Sequence, residues 1–243
     1  MSHHHILIAG GGSAGISVAA RLKLADPSLD VAIVEPSKFH YYQPLWTMVG
    51  GGVVTPEATR RLEAEYIPKG VTWIAERVSD FRPETNSIAL TNGTQITYDF
   101  LVVALGIQLD WEKIDGAESA LDTPGVCSNY TYATAGNTWK YLQQINEGNL
   151  VFTFPSTPIK CAGAPQKIMY LADDHLRRRG VRDKTKIHYG SAAAAIFGVK
   201  HYRDALEPIV KRKEIETHFR HDLVAVRPKS KEAVFHHLDE KKE

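Results

Sequence analysis

Apolar residues along this chain fall into two alternating kinds of pattern. Residues 6–9 and 31–34 are short continuous apolar runs, too short for helices and flanked by turn residues, and they predict buried strands. Between them Ile16, Ala19 and Ala20 recur on one helix face. The same alternation returns in the second half. Residues 150–154 predict an apolar, branched and aromatic strand, and Ile168, Leu171, Ala172 and Leu176 predict a helix that runs to Gly180. A strand follows at 186–189, then a helix carrying Tyr202, Ala205, Leu206, Ile209 and Val210.

Between these halves the order changes. A strand is expected at 71–78, and the segments 87–90 and 95–97 flank Asn92-Gly93, a strong hairpin turn, so a small β-meander interrupts the alternation. Residues 100–104 predict a buried strand, and a helix over 133–147 should stop at Gly148-Asn149. Strands resume at 214–219, 223–226 and 233–236. The last is expected to have no partner segment, leaving an unpaired edge before the charged residues 239–243. The pattern predicts an α/β chain of two Rossmann-like domains, residues 1–125 and 126–243, with a small β-meander.

Composition narrows the setting. The 243 residues carry 29 Lys+Arg against 28 Asp+Glu, a net charge of +1 that gives no reason to expect nucleic acid or an anionic surface as partner. Basic runs at 177–179 and 211–213 fall at helix ends, where cations offset the helix dipole. No apolar run approaches the roughly 20 residues of a membrane span. With a first strand at Ile6, no room is expected for a signal or transit peptide, and His3–His5 is expected to be a flexible, unliganded tail.

Candidate chemistry begins with Gly10-Gly11-Gly12-Ser13-Ala14-Gly15, which follows the first strand and opens the first helix. Gly10, Gly12 and Gly15 fill the three glycine places of a dinucleotide fingerprint: tight turn, close approach to a pyrophosphate, and close helix–strand packing. Glu35 ends the second strand about 20 residues later, where a carboxylate accepts from a ribose hydroxyl. An acidic residue there points to FAD or NAD rather than NADP. The aromatic and glycine-rich residues 39–52 can wall a planar ring, although core packing alone also explains their aromatics. Ala104-Leu105-Gly106 ends a strand with a glycine that lets backbone approach a ligand.

Cys161 occupies the corresponding strand-to-helix turn of the second half. Only Gly163 remains of a glycine fingerprint, and Pro165 lacks an amide donor, so the loop suits presentation of a sulfur better than a phosphate. The helix N-terminus and Lys160 are expected to lower the thiol pKa. A buried structural cysteine is the competing reading. Cys127 and Cys161 could pair or remain separate thiols; two cysteines make no disulfide-rich scaffold.

The segments GGGSAGISVAARL, AIVEPS, YQPLWTMVG, VTWIAERV, LVVALGIQLDWEKI, FTFPSTPIKCAGAPQKIMYL, AIFGVKHY and EAVFHHLD follow one another in order and spacing. In them the chain resembles the sulfide:quinone oxidoreductases, particularly the branch containing the mitochondrial enzymes, and CAGAPQK is specific to that group. The resemblance implies a flavoprotein of the pyridine nucleotide-disulfide reductase type with two FAD/NAD(P)-binding domains. The first would hold FAD; the second, having lost NAD, would supply a redox cysteine.

It further implies oxidation of hydrogen sulfide, reduction of a ubiquinone-like quinone, a sulfane-sulfur acceptor and peripheral membrane association. By position it assigns Ser13 and Ala14 to the pyrophosphate, Glu35 to the ribose, Gln43 to the flavin side, the Val78 backbone to adenine, and Cys161 to the sulfane sulfur. Cys127 matches an extra cysteine of some bacterial members, an assignment that ranks below a plain core thiol. The family's second cysteine, an acidic residue for the ribityl chain and its membrane-docking helices lie in a C-terminal segment past the region of resemblance. Alternatives are the flavoprotein subunit of flavocytochrome c sulfide dehydrogenase, a type II NADH dehydrogenase, and an inactive flavin-binding fragment.

Overall fold

The structure, a computed structural model, describes residues 2–121 and 123–240. It divides into two compact units, residues 1–42 with 57–108, and residues 43–56 with 109–243.

In the first unit, β1 (Ser2–Ala9), α1 (Ser13–Ala25) and β2 (Val31–Val34) form a parallel β-α-β unit, with Ile6 opposite Val31 and Ala9 opposite Val34. The short strands β3 (Phe39–Tyr41) and β4 (Arg60–Leu62) pair antiparallel. Then come β5 (Val71–Ile74), β6 (Val78–Arg82), β7 (Ser87–Leu90) and β8 (Gln95–Val103). Among the described residues these build a sheet of order β5-β2-β1-β8-β7-β6. Strands β5, β2, β1 and β8 run parallel, while β6, β7 and β8 form the antiparallel meander. One apolar cluster joins Leu7, Ala32 and Val34 to Ile88, Ile96 and Tyr98; another joins Ile6, Ile8, Val31 and Ile33 to Ala19.

The second unit contains α2 (Trp46–Gly50), α3 (Ala117–Ala120), α4 (Tyr132–Leu142), β9 (Gly148–Phe154), α5 (Ala164–Arg178), β10 (Thr185–Ser191) and α6 (Lys200–Arg212). It ends in β11 (Ile215–Phe219), β12 (His221–Arg227) and β13 (Glu232–His237). A parallel sheet of order β11-β10-β9 packs Leu150, Ile187, Tyr189 and Ile215 against Met169, Ala172 and Leu176 of α5. Asp173, fully buried on α5, anchors this layer through Arg177, Arg182 and Lys213. Burial raises its pKa, but the hydrogen bonds from Lys213, Arg182 and Arg177 outweigh that and hold the carboxyl below its usual range.

Several expectations are corrected. The histidines at positions 3–5 are not a tail: β1 extends back to Ser2, paired with β8, and their Nδ1 atoms meet Thr97, Asp30 and Asp99 at 3.0, 3.0 and 2.7 Å. The expected strand 71–78 is two strands, β5 and β6, whereas 95–97 and 100–104 belong to one, β8. Phe100 and Val103 are each 61% exposed rather than buried, because an apolar run signals a strand without fixing what covers its faces.

Helix α4 ends at Leu142, before Gly148. The Arg179 guanidinium takes the carbonyls of Leu142 and Ile145 at 3.2 and 2.7 Å, so a distant side chain terminates the helix and Gly148 opens β9 instead. The final strand is not unpartnered, since β12 and β13 form an antiparallel pair.

Candidate functional site

The glycine turn of the first unit has the geometry its sequence demands. Gly10 adopts φ +110°, and a Cβ there would lie 2.4 Å from the Ala104 carbonyl oxygen. A Cβ on Gly15 would lie 1.9 Å from the Gly10 carbonyl oxygen, so α1 approaches the turn at a distance only glycine allows. Gly12 has open space where its Cβ would stand. It caps α1 with extended backbone, among the described residues no side chain caps the helix, and the first turn is free of acidic residues. Ser13 and Ala14 are exposed in that turn. Their amides belong to the set that has no partner within a helix, so the turn presents donors and a positive dipole end to an anion.

Glu35 stands beside this cradle. Its carboxylate accepts from the Gly11 amide at 2.9 Å and the Ser37 amide at 2.8 Å, and the Trp73 indole donates to its carbonyl at 2.9 Å. Each carboxylate oxygen keeps a second lone pair for a ribose hydroxyl. Ala104 donates to the Ala9 carbonyl at 2.8 Å, and Gly106 follows at φ +78° with open space around its Cβ position. Val78 opens β6 opposite Leu90 and packs into the cluster containing Val34.

Sequence reasoning missed Glu63, which is 1% exposed and whose Oε1 has no hydrogen-bond partner among the described residues; a Cβ on Gly11 would come within 2.6 Å of that oxygen. Burial, then the neighbouring Glu35 charge, pushes its pKa up to about 7. His40 Nδ1 approaches its other oxygen at 3.5 Å. No local pattern marks a carboxylate buried by tertiary contacts.

In the second unit the exposed thiol of Cys161 sits between β9 and α5. The Ala164 amide donates to the Cys161 carbonyl at 3.2 Å, folding the loop back toward the helix. Helix α5 starts with Pro165 in its first turn and, among the described residues, no capping side chain. Gly163 has φ −88°, so nothing in its backbone requires glycine. Lys160 is shifted downward by desolvation.

Tyr130, also unsignalled in the sequence, has a buried hydroxyl with no hydrogen-bond partner among the described residues. Desolvation raises its pKa, with a further contribution from the neighbouring Cys161. Cys127 is a separate thiol, partly buried, whose pKa burial raises against a hydrogen bond from Thr138. Gln43 lies in this same unit, donating to the Tyr130 carbonyl at 3.3 Å. The glycines after it are packed rather than open: Cβ atoms on Gly50, Gly51 and Gly52 would collide with Asn129, Leu171 and Trp139. Residues 43–52 are therefore a helical turn seated against α4 and α5, while Phe39, His40 and Tyr41 form β3 in the other unit.

The uncapped glycine turn, the acidic residue closing β2 and the sheet order define a class. The pyridine nucleotide-disulphide oxidoreductase profile matches residues 4–146, and the chain belongs to that family. Within it, the chain is similar to the Mus musculus protein named sulfide:quinone oxidoreductase, mitochondrial, with 47% identity across 98% of this chain and 53% of the relative. It is likewise similar to the Dictyostelium discoideum protein of that name, at 44% identity over 95% of this chain and 51% of the relative. The sulfide:quinone oxidoreductase structure from Aquifex aeolicus shares the fold with a TM-score of 0.79 at 20% identity, covering 97% of this chain and 56% of that one. The chain spans about half the length of the curated relatives it matches.

Proposed function

We propose that this chain supplies the FAD-binding turn and the sulfur-carrying cysteine of a sulfide:quinone oxidoreductase. The observation that carries the reading is an exposed Cys161 where the second strand-to-helix turn would carry a glycine fingerprint, while the first turn keeps its fingerprint intact. The domain division at residues 1–125 and 126–243 belongs to the same proposal.

The residues present fit FAD. Gly10, Gly12, Ser13, Ala14 and Gly15 would receive its pyrophosphate, Glu35 its ribose, and the Val78 backbone its adenine. Ala104 and Gly106 offer close backbone approach, and Gln43 is assigned to the flavin side. When bound, the flavin supplies a two-electron acceptor.

Cys161 is exposed to solvent, and once it shares a disulfide or trisulfide with a second cysteine, hydrosulfide would attack that bridge, the S–S bond would break, one cysteine would keep a persulfide and the other would leave as a thiolate. The second sulfur of that exchange is assigned to a cysteine outside these residues. Hydrogen sulfide is the proposed donor, a ubiquinone-like quinone the electron acceptor, and a further nucleophile the sulfane-sulfur acceptor. Peripheral membrane association is proposed too; among the described residues no helix is long and apolar enough to cross a membrane.

Pro165 argues against a nicotinamide site in the second turn, since it removes a donor that a pyrophosphate needs. Equilibrium binding tests the cofactor assignment: FAD should bind in preference to an NADP analogue, and the reverse preference would overturn it. Saturable NADH binding at the second unit would favour a type II NADH dehydrogenase instead.

A further inference from the structure

In the second unit, β10 and β11 bring three potential ligands onto one patch. Their parallel register sets His188 opposite Glu216 and Gly190 opposite His218. Glu216 and His218 are two apart on one strand, so both project from the same face of the sheet. His188 Nδ1 lies 3.2 Å from His218 Nε2 and 3.3 Å from a Glu216 carboxylate oxygen. One ligand atom from each of the three lies within 4.8 Å of the other two.

We propose that His188, Glu216 and His218 bind a first-row divalent metal ion, with Zn2+ the best match. Two nitrogens bound to tetrahedral zinc at about 2.0–2.1 Å stand about 3.3–3.4 Å apart, and a carboxylate oxygen stands at a similar distance. The two short separations, 3.2 and 3.3 Å, lie within about 0.2 Å of that value. Two imidazoles and one carboxylate form a donor set suited to zinc, copper or nickel rather than to calcium or magnesium.

Two of the three proposed ligands, His188 and His218, also line a cavity of about 290 Å³ with His221, Gly190, Asn149, Val151 and Phe235. That volume admits water as a fourth ligand. His221 lines the same cavity. Its Nδ1 lies 2.7 Å from the Phe219 carbonyl, which can only accept, so Nδ1 carries a proton and any lone pair of the neutral ring is on Nε2. That is the arrangement by which an outer hydrogen bond prepares a histidine for metal.

The competing account is a simple His188–His218 hydrogen bond with Glu216 solvated. It requires a proton on one of the two facing nitrogens, whereas the metal requires a lone pair on both.

The test is Zn2+ titration by calorimetry, with zinc alone as probe, on the chain and on a His188→Ala/His218→Ala variant. The histidines at positions 3–5 and the two thiols are present in both proteins, so their contribution cancels. The double variant should bind one Zn2+ fewer per chain. Glu216→Gln, an exposed near-isosteric change, should weaken that site about tenfold or more, since even outer partners of metal ligands cost about 10–100-fold.

Zinc-soaked crystals of the unmutated chain guard against a variant that fails to fold. They should show an anomalous peak bonded to His188 Nδ1 and His218 Nε2. Equal stoichiometry in folded chain and variant, or an anomalous peak confined to positions 3–5 or to the cysteines, would overturn the assignment.

Discussion

The two strand-to-helix turns, one in each unit, start from the same local architecture and diverge in what they expose. Each follows a parallel strand, and each opens a helix that no described side chain caps. In the first, Gly10 is left-handed and Gly15 meets backbone at a distance that excludes a methyl group, so the chain is drawn tight to leave the amides bare. In the second, Gly163 has ordinary backbone angles, a proline enters the first helical turn, and an exposed cysteine precedes the helix. One turn bares backbone donors and the other an exposed thiol. The difference rests on a handful of residues, because the helix terminus itself is common to both.

The largest expected effect is at the first turn. Gly15→Ala places a methyl carbon 1.9 Å from the Gly10 carbonyl oxygen, and backbone cannot give way as a side-chain tip can. It should cost several kcal/mol, on the order of the largest single-site effects, and abolish FAD binding; chemical denaturation and flavin titration check both.

Glu63→Gln sharpens the same region. A carboxyl whose folded pKa is raised binds more protons in the native than in the unfolded state, so its burden on stability grows as pH rises from the unfolded value near 4.5 to about 7 and then levels off. The variant should match the parent near pH 4 and exceed it by on the order of 2 kcal/mol at pH 8, as read from denaturation at a series of pH values.

Thiol labelling tests the second turn. Exposed Cys161 should react with a disulfide reagent about tenfold or more faster than Cys127, whose burial raises its pKa. The smallest effect belongs to Gly163→Ala. With φ −88° and Cys161 Sγ 4.0 Å from the new Cβ, it should change stability by no more than about 0.5 kcal/mol.

What the sequence discloses follows the range of the forces involved. The path β1, glycine turn, α1, β2 and Glu35 is legible because its signals are local: an apolar run, glycines at fixed spacing, and a carboxylate at a strand end. Cys161 is legible for the same reason. Structure set by distant partners is not. The histidines at positions 3–5 look like a tail until Thr97, Asp30 and Asp99 are brought beside them, and α4 looks longer until Arg179 takes its last carbonyls. Glu63 has no local mark of burial, and His188 joins His218 only through the register of β10 with β11.

The central claim is that Cys161 carries sulfur. Its most direct test is sulfide-dependent quinone reduction, followed by intact-protein mass spectrometry, on the chain purified with any segment that follows Glu243 in its coding region. Parallel samples carry Cys161→Ser and Cys127→Ser. The account predicts a sulfur adduct on Cys161, loss of turnover in the Cys161 variant and retained turnover in the Cys127 variant. Full activity without Cys161, or added sulfur on Cys127 alone, would contradict it.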